Sequence, residues 1–403
     1  STRLPRLGLG TASHAQALTE REVARLKALN LSHLRVDLKV AEAGYTHVFA
    51  EAVTQAQRLG VALEVALFVS DAADEELQAF VAGLKDHGPK VARWLIFHRG
   101  ETSTRARWPL LARQQLQDYD SSARLFGGTN AYFTELNRER PPLEALDGVC
   151  YSINPQVHAF DNASLVETLR AQAYTVMSTR GFAPDLPIAI TPVTLKPRFN
   201  PNATGPERAP DADELPSQVD PRQASLFGAG WTLSSLKYLA EAGVDSVTYY
   251  ETTGWRGVME REAGSPVPGE FPSFPGGVFP LYHVLADVGE YAGGQVLPSH
   301  SSDRLDVESF ALRRGGKSRI LIANLSAAFQ PVRLAYPDLA RYVRVKRLAA
   351  EDAEAAMRDP EGYRAEPGLK QETRGGVLEL SLAPFATVRI DGVEREVEGE
   401  DND

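Results

Sequence analysis

The sequence predicts a (β/α)₈ TIM barrel followed by a C-terminal antiparallel β-sandwich domain. Three observations carry this. Eight short apolar runs alternate with amphipathic helical patterns between Leu7 and Tyr291, and alternation of this kind means parallel strands joined by crossover helices. No Gly-rich phosphate loop follows an early run, which argues against an open doubly wound sheet. After about Gly293 the helical period gives way to short strands separated by turn residues. The 403 residues accommodate a barrel of about 250 residues and a sandwich of about 100. The expected domains are 1–292 and 293–393, with an acidic tail over 394–403 read as disordered.

Strand one is read at Leu7–Thr11, and a capping box of Thr19 and Glu22 opens the helix carrying Val23, Leu26 and Leu29. Strand two is His33–Leu38. Its helix, with Phe49, Val53 and Ala56, stops at Gly60. Strand three is Ala62–Val69, followed by the helix of Leu77, Phe80 and Leu84. Strand four is Ala92–Phe97 with a helix at Pro109–Gln117, and strand five is Arg124–Thr129 with a short helical segment. Strand six is Gly148–Ile153, and Ser164 and Glu167 open its helix. Strand seven is Pro187–Thr191, whose helix, Gln223–Ala242, follows a long loop. Strand eight is Asp245–Tyr250, and Val278–Tyr291 is the last helix. Beyond it, strands are expected at Ser309–Leu312, Arg319–Asn324, Val332–Leu334, Val343–Leu348, Val377–Leu382 and Ala386–Ile390, with helices nearly absent.

A net charge of −10 without a Lys/Arg stripe excludes a nucleic-acid binder, because phosphate contacts need a basic face. No apolar run reaches the 18 or so residues of a membrane span, and no secretory leader is read ahead of strand one. The single cysteine, Cys150, permits no intrachain disulfide, which suits a reducing, cytoplasmic compartment. Within Gly148-Val149-Cys150-Tyr151 it reads as a buried structural thiol.

Barrels of this kind do their chemistry on loops at the strand C-termini. Tyr249-Tyr250-Glu251 ends strand eight on a carboxylate, a candidate base, acid or nucleophile; a helix cap or an ion pair with Arg256 is the alternative. Asn130, Tyr132 and Glu135 follow strand five, where Gly127 and Gly128 allow close backbone packing. Glu135 is a second catalytic candidate or simply the acid that opens the next helix. Arg35 and Asp37 share one face of strand two, as a substrate contact or as an internal salt bridge. His158, beyond Pro155, is a base, a ligand or a hydrogen-bonded structural group. The long loop after strand seven offers Lys196, Arg198 and Asn200 for an oxyanion or hydroxyls, and the loop after strand eight offers Trp255 for stacking. No H-E-x-x-H or H-x-H pattern occurs, so neither a metal nor another cofactor is expected.

The stretches Gly128–Arg138 (GTNAYFTELNR), Thr191–Thr204 (TPVTLKPRFNPNAT) and Thr248–Gly257 (TYYETTGWRG) together resemble the D-apionate lactonase family. The resemblance implies a bacterial enzyme of apiose catabolism that hydrolyses D-apionolactone to D-apionate, on a glycosidase-like TIM barrel, with a small-molecule sugar or sugar-lactone substrate. Family members commonly carry a further β-rich domain ahead of the barrel. The related glycosidase clan carries Asn-Glu after strand four and Glu after strand seven, whereas this chain has Asn130-Ala131 after strand five and Glu251 after strand eight. Three readings follow: a lactonase with Glu251 as base and Glu135 as the acid or its partner, a retaining glycosidase using the same two glutamates, and a non-catalytic carbohydrate-binding barrel.

Overall fold

The computed structural model describes residues 1–205 and 208–392; the acidic tail read at 394–403 lies outside the described residues. Eight parallel strands close into a barrel in sequence order: Arg6–Gly10, His33–Lys39, Ala62–Val69, Val91–His98, Leu125–Tyr132, Gly148–Ile153, Ile188–Val193 and Ser246–Glu251. Strand one pairs with both strand two and strand eight. The eight strands sit where the apolar runs placed them. The main difference is that strand five runs on through Asn130 and Tyr132, so these residues lie within the strand and not after it.

Alternation along the strands sorts the barrel into two environments. Leu34, Val36, Leu63, Val65 and Leu67 are fully buried in the main core with the surrounding helices. A second, inner cluster contains Ala66, Leu95, Phe97, Phe126, Cys150 and Ala189. Cys150 is fully buried there, and burial pushes its thiol up to about 12. Gly128 has φ +143°, and a Cβ there would lie 2.2 Å from the Cys150 carbonyl oxygen. Only glycine lets strands five and six approach this closely.

The lumen also holds charge. Glu64 is fully buried and accepts from the hydroxyls of Thr191 and Thr248. It lies 3.5 Å from Arg93 and 3.8 Å from His33. His33 shares a 2.8 Å hydrogen bond with Thr248. Its ring fills space left by Gly8, where a Cβ would meet His33 Nε2 at 2.2 Å. Burial pushes His33 down to about 4, despite the neighbouring Glu64.

The second domain is a sandwich of a seven-stranded antiparallel sheet and the pair Gln330–Ala335 with Val377–Leu382. Ile320, Ile322, Val343, Val345, Leu380, Val388 and Ile390 form its core. Two sequence expectations need correction. Thr2 and Arg3 form an edge strand of this sheet, pairing with Gln295–Leu297, so the first residues belong structurally to the second domain. Helices are also present there, at Ala350–Arg358 and Pro360–Ala365. The first buries Ala356 and Met357, and so short an apolar face leaves little periodicity to read.

The domains are joined over the last two barrel helices. In Leu226–Glu241 every residue from Phe227 to Ala240 is buried, as expected for a helix covered on all sides. Its Gly230 faces Leu325 and Ala323 of the sandwich. Asp287, on helix Pro280–Gly289, pairs at 2.9 Å with both Arg364 and Arg389 of the sandwich domain. Among the described residues no helix is long and apolar enough to cross a membrane.

His33 gives a pH test. Its folded value of about 4 lies below its ordinary 6.5. The stability held by its neutral form is therefore present above about pH 6.5 and lost as pH falls through about 4. Urea titrations of His33→Gln should show destabilisation at pH 7, with the gap to the parent closing by about 2 kcal/mol by pH 4.5; a gap independent of pH would contradict the assignment.

Candidate active site

The C-terminal ends of the strands surround an open cavity of about 730 Å³, within the usual range for small-molecule sites. Its walls include Ser13, Arg35, Asp37, Asn130, Arg198, Glu251 and Arg256.

Glu251 reaches the cavity because strand eight breaks its alternation. Ser246 and Thr248 point inward, bonding Arg93 and Glu64, while the Tyr249 hydroxyl meets Ser235 on helix Leu226–Glu241 at 2.7 Å. Strict alternation would turn Tyr250 inward and Glu251 outward. Tyr250 instead adopts φ +49°, and its hydroxyl meets Thr232 of the same helix at 2.7 Å. Strand one registers the same irregularity: Leu9 pairs with Tyr249, and Gly10 pairs with Glu251. A bulky residue in the left-handed region costs about 1–3 kcal/mol. Here that cost accompanies the inversion that turns the carboxylate inward. Glu251 then accepts from the Ser13 N–H at 2.8 Å and lies 3.3 Å from Arg256.

Arg35 organises the opposite wall. Its guanidinium donates to Asp37 at 2.7 Å, to the Thr191 carbonyl at 2.5 Å and to Asn130 Oδ1 at 2.8 Å. Arg198 donates to the same Asn130 Oδ1 and to the Asn130 carbonyl, both at 2.8 Å, and to Ser152 Oγ at 2.9 Å. It also approaches Asp37 at 3.3 Å. Two arginines donating to one amide oxygen fix the orientation of Asn130. Burial and the nearby Arg35 lower Arg198 to about 10, which leaves it cationic at neutral pH. Burial disfavours the Asp37 charge, but Arg35 and Arg198 hold it below the usual carboxylate range.

The structure thus brings together Arg35, Asp37, Asn130, Arg198 and Glu251. Tyr132 supports the group from outside the cavity: its hydroxyl donates to the Phe199 carbonyl at 3.1 Å and its ring stacks on Phe199. Other candidates lie elsewhere. Glu135 does not line the cavity; it occupies the first turn of helix Phe133–Arg138, accepting from the Tyr132 N–H at 3.1 Å. Asn200 is exposed and closes its own turn onto the Asn202 N–H. Lys196 is half-buried outside the lining, with its carbonyl accepting from Thr194. His158 is exposed and lines a separate cleft with Tyr132 and Asn154. Trp255 lines a separate cleft beyond Arg256.

Sequence reasoning missed Gly10, whose hypothetical Cβ would lie 2.9 Å from the Tyr250 carbonyl, and the supporting contacts of Ser152 with Arg198 and of Thr191 with Arg35. The Gly8-x-Gly10 spacing at the barrel's inner face was the available signal. Among the described residues no group of three or more His, Cys, Asp or Glu is placed to hold a metal ion.

Barrel, carboxylate-and-guanidinium mouth and attached sandwich define a two-domain (β/α)₈-barrel protein. The same fold occurs in an α-L-arabinofuranosidase from Thermotoga maritima (TM-score 0.66, 12% identity, 97% of each chain). It occurs also in a GH30 endoxylanase from Clostridium papyrosolvens C71 (TM-score 0.60, 11% identity, 98% of each chain). Residues 7–293 match the TIM-barrel domain of D-apionate lactonase, and residues 304–390 match its C-terminal immunoglobulin-like domain. The chain belongs to the D-apionate lactonase family. It is 31% identical over 244 residues to a D-apionate lactonase from Brucella anthropi, an alignment covering 58% of this chain and 39% of the relative. The chain therefore matches about two-fifths of that relative's length.

Gly10→Ala should destabilise the protein by about 1–3 kcal/mol in urea denaturation, since the methyl meets backbone. Gly44→Ala, with nothing within 4 Å of the added Cβ, should be close to neutral.

Proposed function

We propose that this chain is a bacterial carboxylic ester hydrolase that opens a sugar-derived lactone, D-apionolactone to D-apionate, in apiose catabolism. The observation that carries the reading is the site itself. A carboxylate, Glu251, held by Ser13 and Arg256, shares a cavity with the guanidinium groups of Arg35 and Arg198. Membership of the lactonase family supports the same reading.

Glu251 acts as general base. It takes a proton from a water that attacks the lactone carbonyl carbon, while the carbonyl π pair moves onto oxygen. Guanidinium donors of Arg198 and Arg256 face the developing oxyanion. Collapse of the tetrahedral centre breaks the ring C–O bond, and the leaving alkoxide takes the proton that Glu251 holds. Lactone and water thereby give one hydroxy acid, with Glu251 returned to its starting state. Asp37, fixed by two arginines, accepts from substrate hydroxyls. Glu135, bonded into its own helix turn, has no part in this scheme. The buried, unpaired Cys150 accords with a reducing, cytoplasmic setting.

A retaining glycosidase needs two carboxylates about 5–5.5 Å apart across the scissile bond. Among the described residues the carboxylates lining the cavity are Asp37, Glu42 and Glu251, and none of these comes from strand four or strand seven. Glu101, beyond strand four, is instead bonded to Trp108 Nε1 at 2.8 Å.

A pH-indicator assay with D-apionolactone and a panel of aldonolactones tests the proposal. Glu251→Gln should cut kcat by at least about a hundredfold with an unchanged melting temperature. Nitrophenyl glycosides should remain intact. Acid release that survives in Glu251→Gln would remove this residue from the mechanism. Arg198→Gln should lower kcat/KM by roughly a hundredfold, through loss of a charged oxyanion donor; unchanged kinetics would move the oxyanion elsewhere.

A further inference from the structure

Beyond Glu251 lies a second, smaller cleft of about 290 Å³. It shares Ser13 and Arg256 with the main cavity. Its other walls include His14, Thr253, Trp255 and Arg261, and among the described residues no carboxylate lines it.

The cleft's lining is rich in hydrogen-bond donors. The Gln16 N–H donates to His14 Nδ1 at 3.1 Å, so that nitrogen keeps its lone pair and Nε2 carries the proton. Burial and the nearby Arg261 keep His14 below its ordinary value, which maintains this neutral form at neutral pH. His14 Nε2 then donates to Thr253 Oγ1 at 2.8 Å, which leaves the threonine's own proton available to a ligand. Arg261 gives one bond to the Gly264 carbonyl at 3.3 Å and stands 3.9 Å from Glu260. The Glu260 carboxylate is itself engaged by the Arg261 N–H and by Ser273. Arg256 stands 3.3 Å from Glu251 on the boundary between the clefts. Half-buried Trp255 adds a flat apolar wall. Two guanidiniums, whose carboxylate neighbours Glu251 and Glu260 stand outside the cleft's lining, and a hydroxyl match an anionic oxygen group. An aromatic face suits the C–H side of a polyol chain.

We infer that this cleft is a carboxylate subsite that takes an open-chain sugar acid and retains it beside Arg256. The choice of a sugar acid rests on the lactonase reading, since such an acid is what lactone opening yields. The subsite makes the reaction product a ligand of its own enzyme, held by Arg261, Thr253 and Trp255, none of which takes part in ring opening.

Calorimetry with sodium D-gluconate as probe tests this, with D-sorbitol as the comparison in which CH₂OH replaces the carboxylate. Gluconate should bind at least about tenfold tighter than sorbitol. Arg261→Gln should weaken gluconate by about tenfold while leaving kcat/KM for the lactone within about twofold. Equal binding of the two probes, or gluconate affinity unchanged in Arg261→Gln, would overturn the inference. Should that variant not fold, the native protein still decides: raising ionic strength from about 0.05 to 0.5 M should weaken gluconate severalfold and leave sorbitol unchanged, and salt-independent gluconate binding overturns the subsite. Protein that binds gluconate through Arg261 yet opens no lactone sinks the lactonase reading alone. Active enzyme with Arg261-independent gluconate binding sinks the subsite alone.

Discussion

The mouth of this barrel depends on a single buried guanidinium. Arg35 rises from strand two and ties Asp37 on its own strand to Asn130 on strand five and Thr191 on strand seven. Asn130 passes the constraint to Arg198 on the loop beyond strand seven. Three stretches far apart in sequence, strand two, strand five and strand seven with its following loop, are thus oriented by one planar fork of donors, a task that Lys, with its single ammonium, cannot perform. Below it, Thr191 also bonds buried Glu64, and Glu64 is faced by Arg93 and His33. Charge in the lumen is therefore compensated layer by layer. That matters because an unpaired buried ion is far costlier than a paired one.

On the other side of the cavity the determining feature is backbone conformation. Left-handed Tyr250 sends two successive tyrosines into the same helix and turns Glu251 inward. Gly10, opposite, leaves room for the displaced Tyr250 carbonyl. Backbone strain stored beside a carboxylate at a strand C-terminus is common at functional sites, and the hydroxyl bonds to Ser235 and Thr232 show what holds it in place here.

The sandwich domain contributes to this arrangement indirectly. It encloses helix Leu226–Glu241, which anchors Tyr249 and Tyr250, and it grips the last barrel helix through the ion pairs of Asp287. The edge strand Thr2–Arg3 leads directly into strand one. Loosening the sandwich would therefore release the helix against which Glu251's strand is set.

The eight strands, most of their helices and the change to antiparallel pairing near Gly293 were legible in the sequence, because burial imposes periods of about 3.6 and 2 that local reading detects. The roles of Arg35, Asp37 and Glu251 as mouth residues followed from their position at strand ends. Edge strand Thr2–Arg3 was not legible, since two residues carry no period and its partner lies nearly 300 residues away. Nor could local reading separate Glu135 from Glu251. Both are acids after a run of β-formers, yet one is absorbed by a helix N-terminus and the other is turned into a cavity. That difference was decided by tertiary structure alone, through the register of strands one and eight and the helix hydroxyls that hold Tyr250. The sequence determined which residues could reach the mouth of the barrel; only the closing of the barrel brought a particular set of them together, because side-chain direction at a bulge depends on neighbours distant in the chain.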